Sequence, residues 1–168
     1  GLGLAASLAG LVVFTLSPPW DRELLASGVY KYSAYVAQGI DVESALKAGT
    51  LLYYGEGAAS TVTVKRLTGT VTLAIDGKVD ASNRTDMLTQ KLLAHVPMLL
   101  HGEPRRVAIV GLGSGVTLGA ALRHPVERVD VIEISPEVVE ASAFFSDDNG
   151  RGLEDLRPLL ALGLHLAR

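Results

Sequence analysis

The chain has 168 residues, no cysteine, a formal net charge of −3 and a mean hydropathy of +0.32. That length allows one ordinary domain or two small ones. The missing cysteine excludes disulfides, thiolate zinc sites and cysteine nucleophiles, and the lack of any strongly basic stretch argues against nucleic acid as a partner.

Residues Gly1 to Leu16 carry no charge and are rich in Leu, Ala, Gly and Val. The run is slightly shorter than the ~20 residues that span a bilayer. Pro18-Pro19, Trp20, Asp21 and Arg22 follow it. Apolar run, proline, tryptophan and charge together predict the end of a transmembrane helix with an interfacial anchor over residues 1–20. A signal-peptide core and a buried helix stay open as alternatives, although no basic segment precedes the run. The chain opens on Gly, not Met, and a fragment of a longer protein is therefore expected.

Residues 21–50 read as a linker or helical region. Leu24-Leu25 and Tyr30, Tyr32 and Tyr35 suggest packing, and Asp41 to Ala48 a short helix. From Leu51 the period changes. Leu51–Tyr54, Thr61–Arg66 and Val71–Ile75 read as strands rich in Val, Thr and Tyr, giving a small antiparallel sheet domain over residues 51–83. Asp76-Gly77 is a hairpin signal, because a type I′ turn needs positive φ at both central residues. Thr85 to His95 reads as a helix with Asn83 or Thr85 as its cap, closed by Pro97 and Gly102.

The most informative stretch is Val107 to Glu133. Val107–Val110 has the pattern of a strand buried on both faces. Gly111-Leu112-Gly113-Ser114-Gly115 follows, then an apolar helix from Val116 to Leu122, then a second strand from Arg128 to Ile134. Strand, glycine turn, helix is the first half of a nucleotide-binding βαβ unit, with the ligand at the positive end of the helix. Glu133 stands about 20 residues on, at the tip of strand two, where a carboxylate accepts ribose hydroxyls. The third glycine of the dinucleotide fingerprint would fall at Val116, and the sequence has Gly115 instead. That form suits S-adenosylmethionine or a relative. In the plainer reading the glycines only allow tight helix–strand packing.

Ser135-Pro136-Glu137 is a helix start, with a cap, a first-turn proline and a first-turn acid. That helix runs toward Phe144. Ser146 to Gly150 reads as a solvated loop, where Asp147 and Asp148 otherwise suggest a divalent ion. His95, His101, His124 and His165 lack metal-ligand spacing and read as caps and surface positions, so no metal is expected.

Taken together, Ile75-Asp76-Gly77, Ala94-His95-Val96-Pro97, the Val107–Gly115 turn and Val131-Ile132-Glu133-Ile134 resemble the spermidine synthase (polyamine aminopropyltransferase) family over roughly Leu51 to Gly150. The N-terminus is similar to the membrane-fused branch of that family. The resemblance implies an α/β fold: a small antiparallel sheet, then a partial Rossmann-like domain of the methyltransferase type over residues 84–168. It implies that Gly111, Gly113, Ser114, Gly115, Glu133 and Gln90 hold decarboxylated S-adenosylmethionine or methylthioadenosine, with a polyamine as acceptor. It leaves room for a homodimer, and it implies a membrane-associated chain whose soluble domain is cytoplasmic.

The sequence also departs from the family. Its turn aspartate is Ser114 here, the tyrosine before the Gln90 position is Thr89, and its acceptor-side Gln-Asp pair falls near Ala59-Ser60. An Asp-Gly pair that contacts adenine should fall near Leu162-Gly163 and is absent; the general-base aspartate would lie past Arg168. Residues 151–168 keep the family's charged start but lose its strand pattern, as a frameshift, truncation or divergent tail would produce. No catalytic residue is assigned, and the chain is not expected to transfer an aminopropyl group unaided. An S-adenosylmethionine-dependent methyltransferase and a non-catalytic nucleoside-sensing module fused to a transporter are the alternatives.

Overall fold

The computed structural model describes residues 2–17, 19–150 and 164–166. Helix α1 (Leu2–Leu16) stands apart, with Leu4, Phe14 and Leu16 exposed. The expected transmembrane segment over residues 1–20 is not supported: among the described residues no helix is long and apolar enough to cross a membrane.

Three short helices follow, α2 (Arg22–Leu25), α3 (Val29–Tyr32) and α4 (Val42–Leu46). Asp21 caps α2 through the Leu24 N–H and Asp41 caps α4 through the Ser44 N–H. Lys47 bridges Asp21 and Glu43 and so ties the two helices together. Of the three tyrosines expected to pack, Tyr32 does, its hydroxyl accepting from the Val79 N–H at 3.1 Å, whereas Tyr30 and Tyr35 are exposed.

The first sheet is an antiparallel meander of β1 (Thr50–Glu56), β2 (Thr61–Leu67), β3 (Thr70–Ile75) and β4 (Lys78–Ser82). At the β3–β4 turn Asp76 has φ 49° and Gly77 φ 76°, the signature of the expected type I′ geometry. Alternation sorts the faces. Val62, Val64, Val71 and Leu73 point into the main core, and Thr63, Lys65, Thr72 and Ala74 point to the other side, where α2–α4 lie.

Helix α5 (Met87–His101) differs from expectation at both ends. Asp86 is its N-cap residue, because Asn83 and Thr85 are consumed at the corner: Asn83 accepts from the Val71 N–H and Thr85 bonds the Ser82 hydroxyl. Pro97 lies inside the helix rather than ending it. One lost ladder bond does not stop a helix whose Ala94 and Met98 are buried on either side of the proline. The stop is Gly102 at φ 83°.

The second sheet has strand order β5–β6–β7. β5 (Arg106–Val110) and β6 (Arg128–Glu133) run parallel, linked by α6 (Val116–Ala121). Helix α7 (Pro136–Ser142) begins at Ser135, whose hydroxyl accepts from the Val138 N–H, and ends in a single 3₁₀ turn at Phe145. β7 (Leu164–Leu166) pairs parallel with β6, Val131 opposite Leu164. That strand corrects the sequence reading of the tail, since three residues are too few for a pattern to show. The expected gap at Leu162-Gly163 lies outside the described residues. One core joins the two sheets, Val62, Val64 and Leu73 meeting Leu118, Val138, Ala141 and Phe145. Tyr53 adds a polar link, donating to the Glu140 carboxylate at 2.8 Å, and its own burial, then Glu140, pushes the Tyr53 hydroxyl up to about 12.

Candidate functional site

A cleft of about 620 Å³ opens where the carboxyl ends of β5 and β6 face the meander. Its position follows the rule for open α/β sheets, in which ligands sit beyond the carboxyl ends of the strands. One wall is Val110, Gly111, Gly113, Glu133 and Ser135; the other is Ser60, Ile75, Asp76 and Asp80. Gly111 (φ 83°) and Gly113 (φ 55°) take a backbone shape that side chains resist. Among the described residues no atom stands within 4 Å of where their Cβ atoms would be, so the room beside them belongs to the cleft.

Glu133 lies on this wall, 6% exposed. Its carboxylate accepts the Leu112 N–H at 2.8 Å, the Ile134 N–H at 2.8 Å and the Ser135 N–H at 3.0 Å. The acid therefore ties the glycine turn to the end of β6. A carboxylate offers about four acceptor directions, so one is left for a ligand.

Gln90 and Ser114 were expected at the ligand, yet neither lines the cleft. Ser114 is buried, and its hydroxyl donates to the Gln90 side-chain oxygen. Gln90 Nε2 in turn donates to the Ser82 carbonyl at 2.8 Å and to Asp86 at 2.9 Å. The pair clamps the turn to the β4–α5 corner from behind. Gly115 (φ 80°) likewise faces away, toward Asn149.

Sequence reasoning missed Asn149. It is 2% exposed in a loop read as solvated, and its amide donates to the carbonyls of Ser114 (3.1 Å) and Ser142 (3.3 Å). Its backbone packs on Gly119, where a Cβ would stand 2.0 Å from the Asn149 carbonyl oxygen. Gly119 is thus the glycine that sets close packing, and no turn signal marks it in the sequence. The histidine reading is corrected at two positions: His95 Nδ1 and His124 Nε2 are 2.8 Å apart and half-buried, joining α5 to the turn after α6. His165 carries no described side chain. Among the described residues no group of three His, Asp or Glu is placed to hold a metal.

The spermine/spermidine synthase domain profile matches residues 86–163. A polyamine aminopropyltransferase of Archaeoglobus fulgidus is 33% identical over 118 residues, 70% of this chain and 44% of that protein. The chain carries a spermine/spermidine synthase domain. A spermidine synthase of Coffea arabica is 32% identical over 120 residues, 70% of this chain and 38% of the relative. The structure of the family member from Thermotoga maritima superposes with a TM-score of 0.61 at 28% identity, covering 70% of this chain and 41% of that one. A family member solved with the transition-state analogue AdoDATO gives 0.58 at 30% identity, over 64% and 38%. The chain spans less than half the length of these family members.

Proposed function

We propose that the cleft binds decarboxylated S-adenosylmethionine and its product methylthioadenosine, with a polyamine as the acceptor of the aminopropyl group. The observation that carries this is the charge of the walls: Asp76, Asp80 and Glu133 line the cleft, and among the described residues no Lys or Arg does. Both substrates are cations, a sulfonium and an amine, and carboxylates in a partly desolvated cleft attract them. Lys78 partly offsets Asp80 from outside the cleft. The nucleoside lies along Gly111 and Gly113, its ribose toward the remaining acceptor direction of Glu133. In the reaction a nitrogen lone pair forms a C–N bond as the C–S bond breaks, methylthioadenosine leaves as a neutral thioether, and the amine gives up a proton. The cleft's part is alignment. No described residue is assigned the proton, so the activity belongs to the whole protein. A methyltransferase would bring the α-carboxylate of S-adenosylmethionine toward the same acids, and like charge disfavours it.

Calorimetry with both nucleosides tests the reading. Asp76→Asn with Asp80→Asn is expected to weaken the decarboxylated sulfonium at least about tenfold, or about 1.4 kcal/mol. Neutral methylthioadenosine is expected to change by less than about threefold. Equal effects on both, or no binding of either, overturn the proposal.

We further propose that α1 lies at a membrane. A helix that is apolar all round, with Leu4, Phe14 and Leu16 exposed, calls for a nonpolar surface. Removing residues 1–20 is expected to abolish detergent partitioning. Wholly aqueous partitioning of the intact chain refutes it.

A further inference from the structure

Gly113, at φ 55°, has among the described residues no atom within 4 Å of where its Cβ would stand, so packing does not hold it. Its neighbours are fastened instead. On one side the Leu112 N–H reaches Glu133, and on the other the Ser114 hydroxyl reaches Gln90. The second fastening has a direction, and Asp86 sets it. A carboxylate only accepts. One Asp86 oxygen takes the Ser82 N–H at 2.9 Å and the Ser82 hydroxyl, and the other takes Gln90 Nε2 at 2.9 Å. Gln90 Nε2 also donates to the Ser82 carbonyl at 2.8 Å. Both N–H bonds of the amide are thereby spent on the β4–α5 corner. Turned over, the amide would set its oxygen against two acceptors. Gln90 Oε1 therefore faces the turn, and the buried Ser114 hydroxyl has to donate to it. With its own hydrogen used, Ser114 Oγ accepts from the Val116 N–H at the start of α6.

This relay joins the two walls of the cleft. Ser82 ends β4, the strand that carries Asp80 on the acidic wall, and Ser114 follows Gly113 on the glycine wall. We propose that Asp86 is a positioning residue for the cleft: it orients the Gln90 amide and so holds the glycine wall at a set distance from the acidic wall. Its effect on ligand rests on the nucleoside reading of the cleft. Asp86 does not line the cleft and acts only through Gln90 and Ser114. In a buried polar chain, one reversed member leaves the next unsatisfied, and a small misplacement of a binding wall weakens what it holds.

A swap of charge between the two side chains tests this. Gln90→Glu removes both N–H donors and sets a second carboxylate against Asp86. Methylthioadenosine affinity, measured by calorimetry, is expected to fall at least about tenfold. With Asp86→Asn added, the new amide keeps its oxygen on Ser82 and donates to the new carboxylate, which still accepts from Ser114. Affinity is expected to return to within about threefold of wild type. Asp86→Asn alone leaves a donor facing a donor and is expected to weaken binding severalfold. Tyr53→Phe removes the Glu140 bond between the sheets and lies outside the relay. It is expected to leave affinity unchanged, which separates positioning from general stability. The Gly113 amide, followed by ¹H–¹⁵N NMR without ligand, is expected to shift in both single variants and to return in the double. If the wild type binds no nucleoside, the cleft reading falls, and the Gly113 amide alone decides the relay. An unmoved Gly113 amide in the single variants, no recovery in the double variant, or an equal loss of affinity in Tyr53→Phe overturns the proposal.

Discussion

Replacing Glu133 by Gln tests how the glycine turn is held. The shape is kept, but the side chain then offers one oxygen and one NH₂. Oriented to keep the Ile134 and Ser135 N–H bonds, it turns its NH₂ toward the Leu112 N–H; reversed, it loses the other two. The better orientation forfeits one hydrogen bond to a charged acceptor, worth about 1.5–3 kcal/mol, and leaves a buried donor facing a donor. The two retained bonds become neutral and weaker. The sum is a destabilisation of about 3 kcal/mol. At about 2–4 °C per kcal/mol for a domain of this size, the melting temperature is expected to fall by about 6–12 °C. Circular dichroism with a parallel urea titration measures both quantities. A melting temperature within about 2 °C of wild type would show that the carboxylate does not organise the turn, and would return Glu133 to a ligand-facing role alone.

Gly119→Ala is expected to cost at least about 2 kcal/mol, because its Cβ would stand 2.0 Å from the Asn149 carbonyl oxygen; an unchanged urea midpoint refutes this. Gly77→Val is expected to cost about 2 kcal/mol or more, since φ is 76° and the new Cβ would meet Gly28 Cα at 2.5 Å; calorimetric melting checks it. Tyr53 gives a pH dependence. Its folded pKa is raised to about 12, so its contribution to stability is complete below the unfolded value near 10 and is lost as pH rises through about 12. Tyr53→Phe is expected to flatten that alkaline loss, and an identical alkaline profile for the two proteins counts against the Glu140 contact.

The meander and the βαβ start were legible because their signals are local. Asp76-Gly77, the β-branched runs and Ser135-Pro136 each specify backbone within a few residues. What stayed hidden was made by packing. Ser114 meets Gln90 across 24 residues, His124 meets His95 across 29, and Asn149 meets Ser114 across 35. No periodicity predicts such encounters. Two of the three expected site residues that lie off the cleft show this well. Gln90 and Ser114 have side chains able to contact a ligand, yet burial behind the turn gave them to each other. For the same reason Gly119 was indistinguishable from an ordinary small helical residue until the Asn149 backbone lay against it.

The two walls of the cleft also differ in how soon they can form. In the meander every paired strand follows its partner directly in the chain, so the acidic wall assembles from short loop closures. The glycine wall waits for α6 to cross over before β5 and β6 can pair. A slowed refolding limb is therefore the expected mark of damage at Gly77, and a faster unfolding limb the mark of damage at Gly119. In a nascent chain, the meander half of the cleft is expected to take shape before the glycine half.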